Sequence, residues 1–158
     1  CPHCPSIRID SEMSEPETLR HIGSHIFKDI CLKDANELCG LCLNTGGLCS
    51  VYLIKRAKDV WAIDMKHLWC QNLKAFNIKT ALEFKTNSPC TNHPLLCPLC
   101  PTNAPAIWKY NLQKHISQSH YGATVHLYKN LFKLDPAEHT LMKRLFNNKP
   151  CARKSKGN

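Results

Sequence analysis

Cys97-Pro-Leu-Cys-Pro-Thr-Asn-Ala-Pro-Ala-Ile-Trp-Lys-Tyr-Asn-Leu-Gln-Lys-His115-Ile-Ser-Gln-Ser-His120 decides the fold. A C-x2-C turn presents two thiolates on one backbone bend, and a histidine pair near a helix end supplies two imidazoles. The spacing Cys97-x2-Cys100-x14-His115-x4-His120 is that of a Cys-Cys-His-His finger, with Leu112 as the apolar plug three residues before the first histidine. Ala106 to His120 is expected as its helix.

Upstream, the same elements recur in looser form. Cys1-x2-Cys4-x16-His21-x3-His25 gives four ligands, but its loop exceeds the usual dozen residues. Thr18 to Phe27 reads as a helix, with Asp10 or Ser11 capping an opening turn and Pro16 suiting a first turn. Between the two fingers stands a third knuckle, Cys39-Gly-Leu-Cys42, whose glycine suits a tight turn around metal. It lacks a histidine pair. Cys49, Cys70, Cys90 and His93 are the candidates for its remaining ligands. The set Cys39, Cys42, Cys70 and Cys90 is expected, because Cys70 and Cys90 flank one segment and close it back on the knuckle. Cys49 follows Gly46-Gly47 and reads as a cysteine buried at a strand start.

The remaining patterning is mixed. Ser50–Lys55 and Asp59–Met65 read as short strands with Arg56 to Asp59 at a hairpin tip. Residues 71–85 fit a helix through Leu73, Phe76, Ala81 and Phe84, against a strand-like alternation of Phe76, Ile78, Leu82 and Phe84. Asp135-Pro-Ala-Glu138 is a helix start with an acid at the N-cap and a Glu three residues on. The fold class is therefore α+β: a small zinc-stabilised domain with two finger-like modules around a central cysteine-rich module carrying a β-hairpin, plus C-terminal helices. The segments are residues 1–34, 35–96, 97–121, 122–148 and a basic tail at 149–158, with the modules packed together.

Composition supports metal over disulfides. The chain has 158 residues but only 8% aromatic content, a thin supply for a core of that size. Eleven cysteines are an odd number, and a disulfide framework would not need paired histidines. Three zinc ions are expected, two at the least, in a reducing compartment. No signal-peptide pattern or membrane-spanning run is visible. The motifs H-E-x-x-H and H-x-E with a downstream P-C-x-x-C are both missing, and each site closes with four protein ligands, so no enzyme is expected.

Charge points toward a partner. The formal net charge is +9, and it is divided: residues 1–38 carry −3 and residues 39–158 carry +12. A basic field of that size favours a polyanion. With His115 at helix position 7, Trp108, Asn111 and Lys114 fall at −1, 3 and 6, the positions that face bases in such fingers. Asn pairs with adenine and Lys with guanine, and Lys109 is placed for phosphate. Lys55, Arg56 and Lys58 gather at the hairpin tip. Module one would offer Ser14, Glu17 and Arg20 beside Glu12 and Glu15, which repel phosphate. It is expected to pack on module two or meet a protein. Double-stranded DNA binding in the nucleus is the leading expectation. The alternative is a protein-interaction module of a larger nuclear protein, working through acidic module one or the C-terminal helices.

Leu19-Arg-His-Ile-Gly-Ser-His25, Cys39-Gly-Leu-Cys42, Ser88-Pro-Cys-Thr-Asn92, Cys97-Pro-Leu-Cys-Pro101 and Trp108-Lys-Tyr-Asn-Leu112 with His115 occur in that order. This string resembles a multi-copy family of mushroom-type (basidiomycete) fungal proteins described as containing Cys-Cys-His-His fingers, over residues 1 to about 121. The resemblance implies a zinc-binding nuclear protein linked to mobile elements and implies no particular activity. His93 stands where such relatives would carry a variable apolar residue, which counts against it as a ligand.

Overall fold

A computed structural model of the chain describes residues 1–10, 12–45, 48–67, 69–72 and 77–148. The first element is α1, Glu15–Lys28. It starts three residues earlier than the apolar pattern suggests because Ser14 forms a capping box with Glu17. The Glu17 backbone N–H donates to Ser14 Oγ, and the Glu17 carboxylate accepts from the Ser14 N–H at 3.0 Å. Asp10 does close a turn, accepting from the N–H groups of Glu12 and Met13, but it lies ahead of the helix. Ser11 lies outside the described residues.

The expected hairpin forms from β1, Leu53–Lys55, and β2, Trp61–Ile63, antiparallel with Lys55 opposite Trp61 and Leu53 opposite Ile63. Its tip turns through Lys58 and Asp59, both at positive φ (61° and 57°). Of the segment expected as a helix at 71–85, residues 73–76 lie outside the described residues. The rest holds one 3-10 turn, Ile78–Ala81, capped by the Asn77 side chain. The α-helical expectation fails there because Asn77 offers the backbone a local partner, and Ile78 and Thr80 are β-branched.

A second, shorter hairpin adds to the expected elements. β3, Pro94–Leu95, pairs with β4, Ile107–Trp108, and α2 follows as Lys109–Ser119. The helix of the third module therefore begins at Lys109 rather than Ala106, since residues 107–108 are held in the sheet. The Cys97/Cys100 knuckle sits at the loop of this hairpin, giving a strand–knuckle–strand–helix finger. Beyond it come a 3-10 turn at Val125–Tyr128, α3 at Lys129–Phe132 and α4 at Pro136–Asn147. Asp135 caps α4 as expected, accepting from the Ala137 N–H at 2.8 Å. Glu138 does not bend back to that cap. It is fully buried and belongs to the interior.

One core draws on the segments 1–34, 35–96, 97–121 and 122–148. Leu19 of α1, Leu41 and Val51 of the central region, Ile63 of β2, Trp108 of β4 and Met142 of α4 are all buried in the same cluster. Gly40 is required at its centre, but not for a left-handed turn. A Cβ there would sit 2.3–2.6 Å from three carbons of the Trp108 ring, so only glycine lets the knuckle lie flat on the indole. Glu138 fastens α4 to this core. Its carboxylate accepts from the Thr91 N–H at 2.6 Å, from Thr91 Oγ1, and from the Tyr110 hydroxyl at 2.6 Å. Lys109 Nζ completes the group by donating to Thr91 Oγ1 at 2.7 Å.

Candidate metal centres

Three sets of four side chains converge so that their donor atoms lie within 4.8 Å of one another: Cys1, Cys4, His21 and His25; Cys39, Cys42, Cys49 and Cys70; Cys97, Cys100, His115 and His120. The separations test whether a metal fits. Tetrahedral bonds of about 2.3 Å to sulfur and about 2.0–2.1 Å to nitrogen place S and S about 3.8 Å apart, S and N about 3.5 Å, and N and N about 3.3 Å. In the third set, His120 Nε2 stands 3.6 Å from Cys97 Sγ, 3.4 Å from Cys100 Sγ and 3.2 Å from His115 Nε2. In the first, His25 Nε2 is 3.1 Å from Cys4 Sγ and 3.7 Å from Cys1 Sγ. In the second, Cys39 and Cys70 sulfurs are 3.9 Å apart, and those of Cys42 and Cys49 are 3.5 Å apart. These separations fall within a few tenths of an ångström of such edges. All three sets could hold a metal ion, and the thiolate and imidazole donors suit zinc.

Each histidine-containing site has a carboxylate behind it. Asp29, the C-cap of α1, accepts from His25 Nδ1 at 3.0 Å and from His3 Nδ1 at 3.1 Å. This fixes the His25 tautomer with its Nε2 lone pair facing the sulfurs. Burial pushes the Asp29 carboxyl up, but the His25 hydrogen bond, the Cys31 N–H and the nearby His3 outweigh it and hold it below its ordinary value. His3, His25 and Asp29 also lie close enough to be read as a metal group of their own. Because they share His25, they form the outer support of the first site. At the third site Glu37 plays this part, accepting from His115 Nδ1 at 3.0 Å. Glu37 comes from the start of the central module, two residues before its knuckle, at positive φ (49°).

The central site corrects one expectation. Cys90 is not among its thiols. It is buried against the Leu19 carbonyl at 3.4 Å and the Tyr110 hydroxyl at 3.6 Å, and burial pushes its thiol up to about 11. Cys49 takes the place. The knuckle closes through Leu43 N–H to Cys39 O and Cys39 N–H to Asn44 O, with Leu43 at positive φ (65°), and the chain returns to bring Cys49 beside Cys42. Gly46 and Gly47 lie outside the described residues. In the sequence, the glycine pair before Cys49 is compatible with a returning ligand but equally fits the expected buried cysteine at a strand start. His93 is engaged elsewhere, with Nδ1 facing the carbonyls of Ala81 and Thr91. Four thiols this close do not ionise equally. Hydrogen bonds among them push Cys39 up, while those from Cys39 and Cys42 bring Cys70 down to about 4. A cation would allow all four to be thiolates.

The expected DNA-reading face of α2 is also reassigned. Trp108 is buried under Gly40, and Asn111 Nδ2 donates to the Leu38 carbonyl at 2.7 Å. Lys114 Nζ donates to the carbonyls of Lys33 and Ala35, and Lys109 is buried on Thr91. Residues 33–40 thus cover the face that would enter a groove. They lie there because the same segment delivers Glu37 to His115 and the knuckle to Trp108. Lys55, Arg56 and Lys58 are exposed at the ribbon tip, where Lys55 Nζ meets Asp59 Oδ1 at 2.6 Å.

The acidic module one packs inward through Leu19, and α1 lies along α4, with Phe146 edge-on to His25 at 5.7 Å. Leu145 and Phe132 likewise pack against the core clusters rather than standing free. No helix among the described residues is long and apolar enough to cross a membrane. No protein-family model, curated protein or solved structure matches the chain, so the donor geometry carries the functional conclusion.

Proposed function

We propose that the chain is a zinc-dependent, double-stranded DNA-binding domain of a nuclear regulatory or mobile-element protein, with one zinc ion in each of the three sites. The zinc is structural: each set supplies four protein ligands and leaves no open position for a reacting molecule. The DNA contact is the β1–β2 ribbon. A two-stranded ribbon fits the major groove as a helix does. The observation that carries this reading is the tip itself, where Lys55, Arg56 and Lys58 all face solvent at the end of a short projecting hairpin. Lys66, Lys79 and Lys85 are exposed in the same region, against exposed Asp59 and Glu83. Because α2 is covered by residues 33–40, Asn111 and Lys114 hold the modules together, and Arg56 is the group placed to meet base edges or phosphate.

The test is a salt titration of zinc-replete protein on random-sequence duplex DNA, followed by sequencing of the bound fraction. Each phosphate contact contributes a slope of about −0.9 in log K against log salt. Arg56→Glu with Lys58→Glu should flatten that slope by about two contacts and weaken binding at low salt. No binding at low salt by folded, zinc-loaded protein would sink the DNA reading.

A further inference from the structure

Among the described residues, no strand pairs with the outer edge of β2. Arg56 N–H donates to the Val60 carbonyl at 2.7 Å and Asp64 N–H to the Tyr52 carbonyl at 2.8 Å. These are hydrogen-bonded pairs, and by alternation Ile54 and Ala62 form the pair between them. Trp61 and Ile63 therefore turn their N–H and C=O groups away from β1. On the β1 side the outer edge is closed where Ala106 N–H donates to the Val51 carbonyl at 2.7 Å. On the β2 side the sheet ends, and among the described residues no backbone bond reaches Trp61 or Ile63 from outside the ribbon.

Along that open edge runs a groove of about 460 Å³ between β2 and the Ile78–Ala81 turn. Buried Ile63 and Ile78 line it, and Trp61 and Met65 border it, 42% and 40% exposed. Arg56 and Lys79 also line it. Both are exposed, and neither has an ion-pair partner among the described residues.

We propose that this groove binds an extended acidic peptide segment of a partner protein, added to β2 as a third strand. The main-chain groups of Trp61 and Ile63 would supply the ladder, which any sequence can use. The apolar lining selects for an apolar residue at every second position, since side chains alternate along a strand. Arg56 and Lys79 select for acidic residues at the flanks. A second copy of the chain is disfavoured as occupant. A second copy would bring the same cationic Arg56 and Lys79, and the same formal net charge of +9, to a basic groove, which like-charge repulsion opposes.

The test uses the zinc-replete chain and a fluorescein-labelled peptide, acetyl-Asp-Glu-Val-Thr-Val-Glu-Asp, followed by anisotropy. Binding with a Kd of about 1–100 μM is expected. N-methylation of the alternate amides that face β2 should weaken it about tenfold or more, and methylation of the other set should not. Lys79→Glu should weaken the acidic peptide by a similar factor of about ten and favour a Lys-flanked version. Equal affinities for both methylated peptides would reduce the interaction to charge and overturn strand addition. So would absence of peptide binding to folded, zinc-loaded protein. Photocrosslinking of a single-stranded oligonucleotide to Trp61 with no peptide binding would overturn the proposal and assign the groove to nucleic acid.

Discussion

The Glu37 carboxylate stands 3.0 Å from His115 Nδ1, so a residue at the start of the central module orients a donor of the third site. The sites are not independent beads. A metal-bound imidazole depends on the acceptor behind it for tautomer and ring orientation, and losing that acceptor typically costs 10–100-fold in metal affinity, to order of magnitude. Glu37→Ala should lower zinc affinity at the third site by about that factor, read by competition with a chromophoric chelator. The first site should be unaffected. Loss at neither site would show that Glu37 has no orienting role.

Asp29 gives the matching prediction for the first site, with a pH signature. Its folded-state carboxyl titrates below its ordinary value, so its contribution is complete above the unfolded value of about 4 and fades as pH falls through the folded one. Asp29→Asn should weaken zinc retention at neutral pH, and the gap to the parent protein should narrow on acidification. A gap that widened toward acid would contradict the assignment.

Metal content separates Cys49 from Cys90. Elemental analysis of Cys49→Ser should show the central ion lost or weakly held, whereas Cys90→Ala should retain it. With the metal in place at pH 8, an alkylating reagent should reach exposed Cys31 first among the described cysteines. Cys90 should stay unmodified, being buried with its thiol raised to about 11. Loss of the ion from Cys90→Ala with retention in Cys49→Ser would reverse the ligand assignment.

Gly40→Ala should destabilise the fold by about 1–3 kcal/mol or more, because the new methyl meets the Trp108 ring at 2.3–2.6 Å. Denaturant unfolding of the zinc-loaded protein measures it. Adding Trp108→Leu should recover part of the loss, a coupling that a purely local backbone effect would not produce.

Glu138→Ala should cost about 3–5 kcal/mol, since it leaves the buried Thr91 N–H and the partly buried Tyr110 hydroxyl without their acceptor. Detachment of α4 should show as loss of hydrogen-exchange protection in residues 136–147, with the α2 finger still protected. Uniform loss across the chain would mean that Glu138 supports the whole fold instead.

The sequence by itself determined the close-spaced ligands. The knuckles at Cys1/Cys4, Cys39/Cys42 and Cys97/Cys100, and the pairs His21/His25 and His115/His120, converge because backbone geometry over four or five residues dictates where their donors point. Asp135 as a cap and the basic ribbon tip were legible for the same local reason. Tertiary structure alone decided what depends on approach between distant segments. Cys49 rather than Cys90 joins the central set because its sulfur comes to 3.5 Å from that of Cys42, while Cys90 is drawn into the packing of α1 against Tyr110. Asn111 and Lys114 carry the spacing of base readers, yet they donate to the carbonyls of residues 33–38. A helix face shows its polarity in sequence but not its neighbour. Here the neighbour is a polar backbone strap whose carbonyls, from exposed Lys33 to buried Leu38, take the donors that the spacing alone would offer to bases.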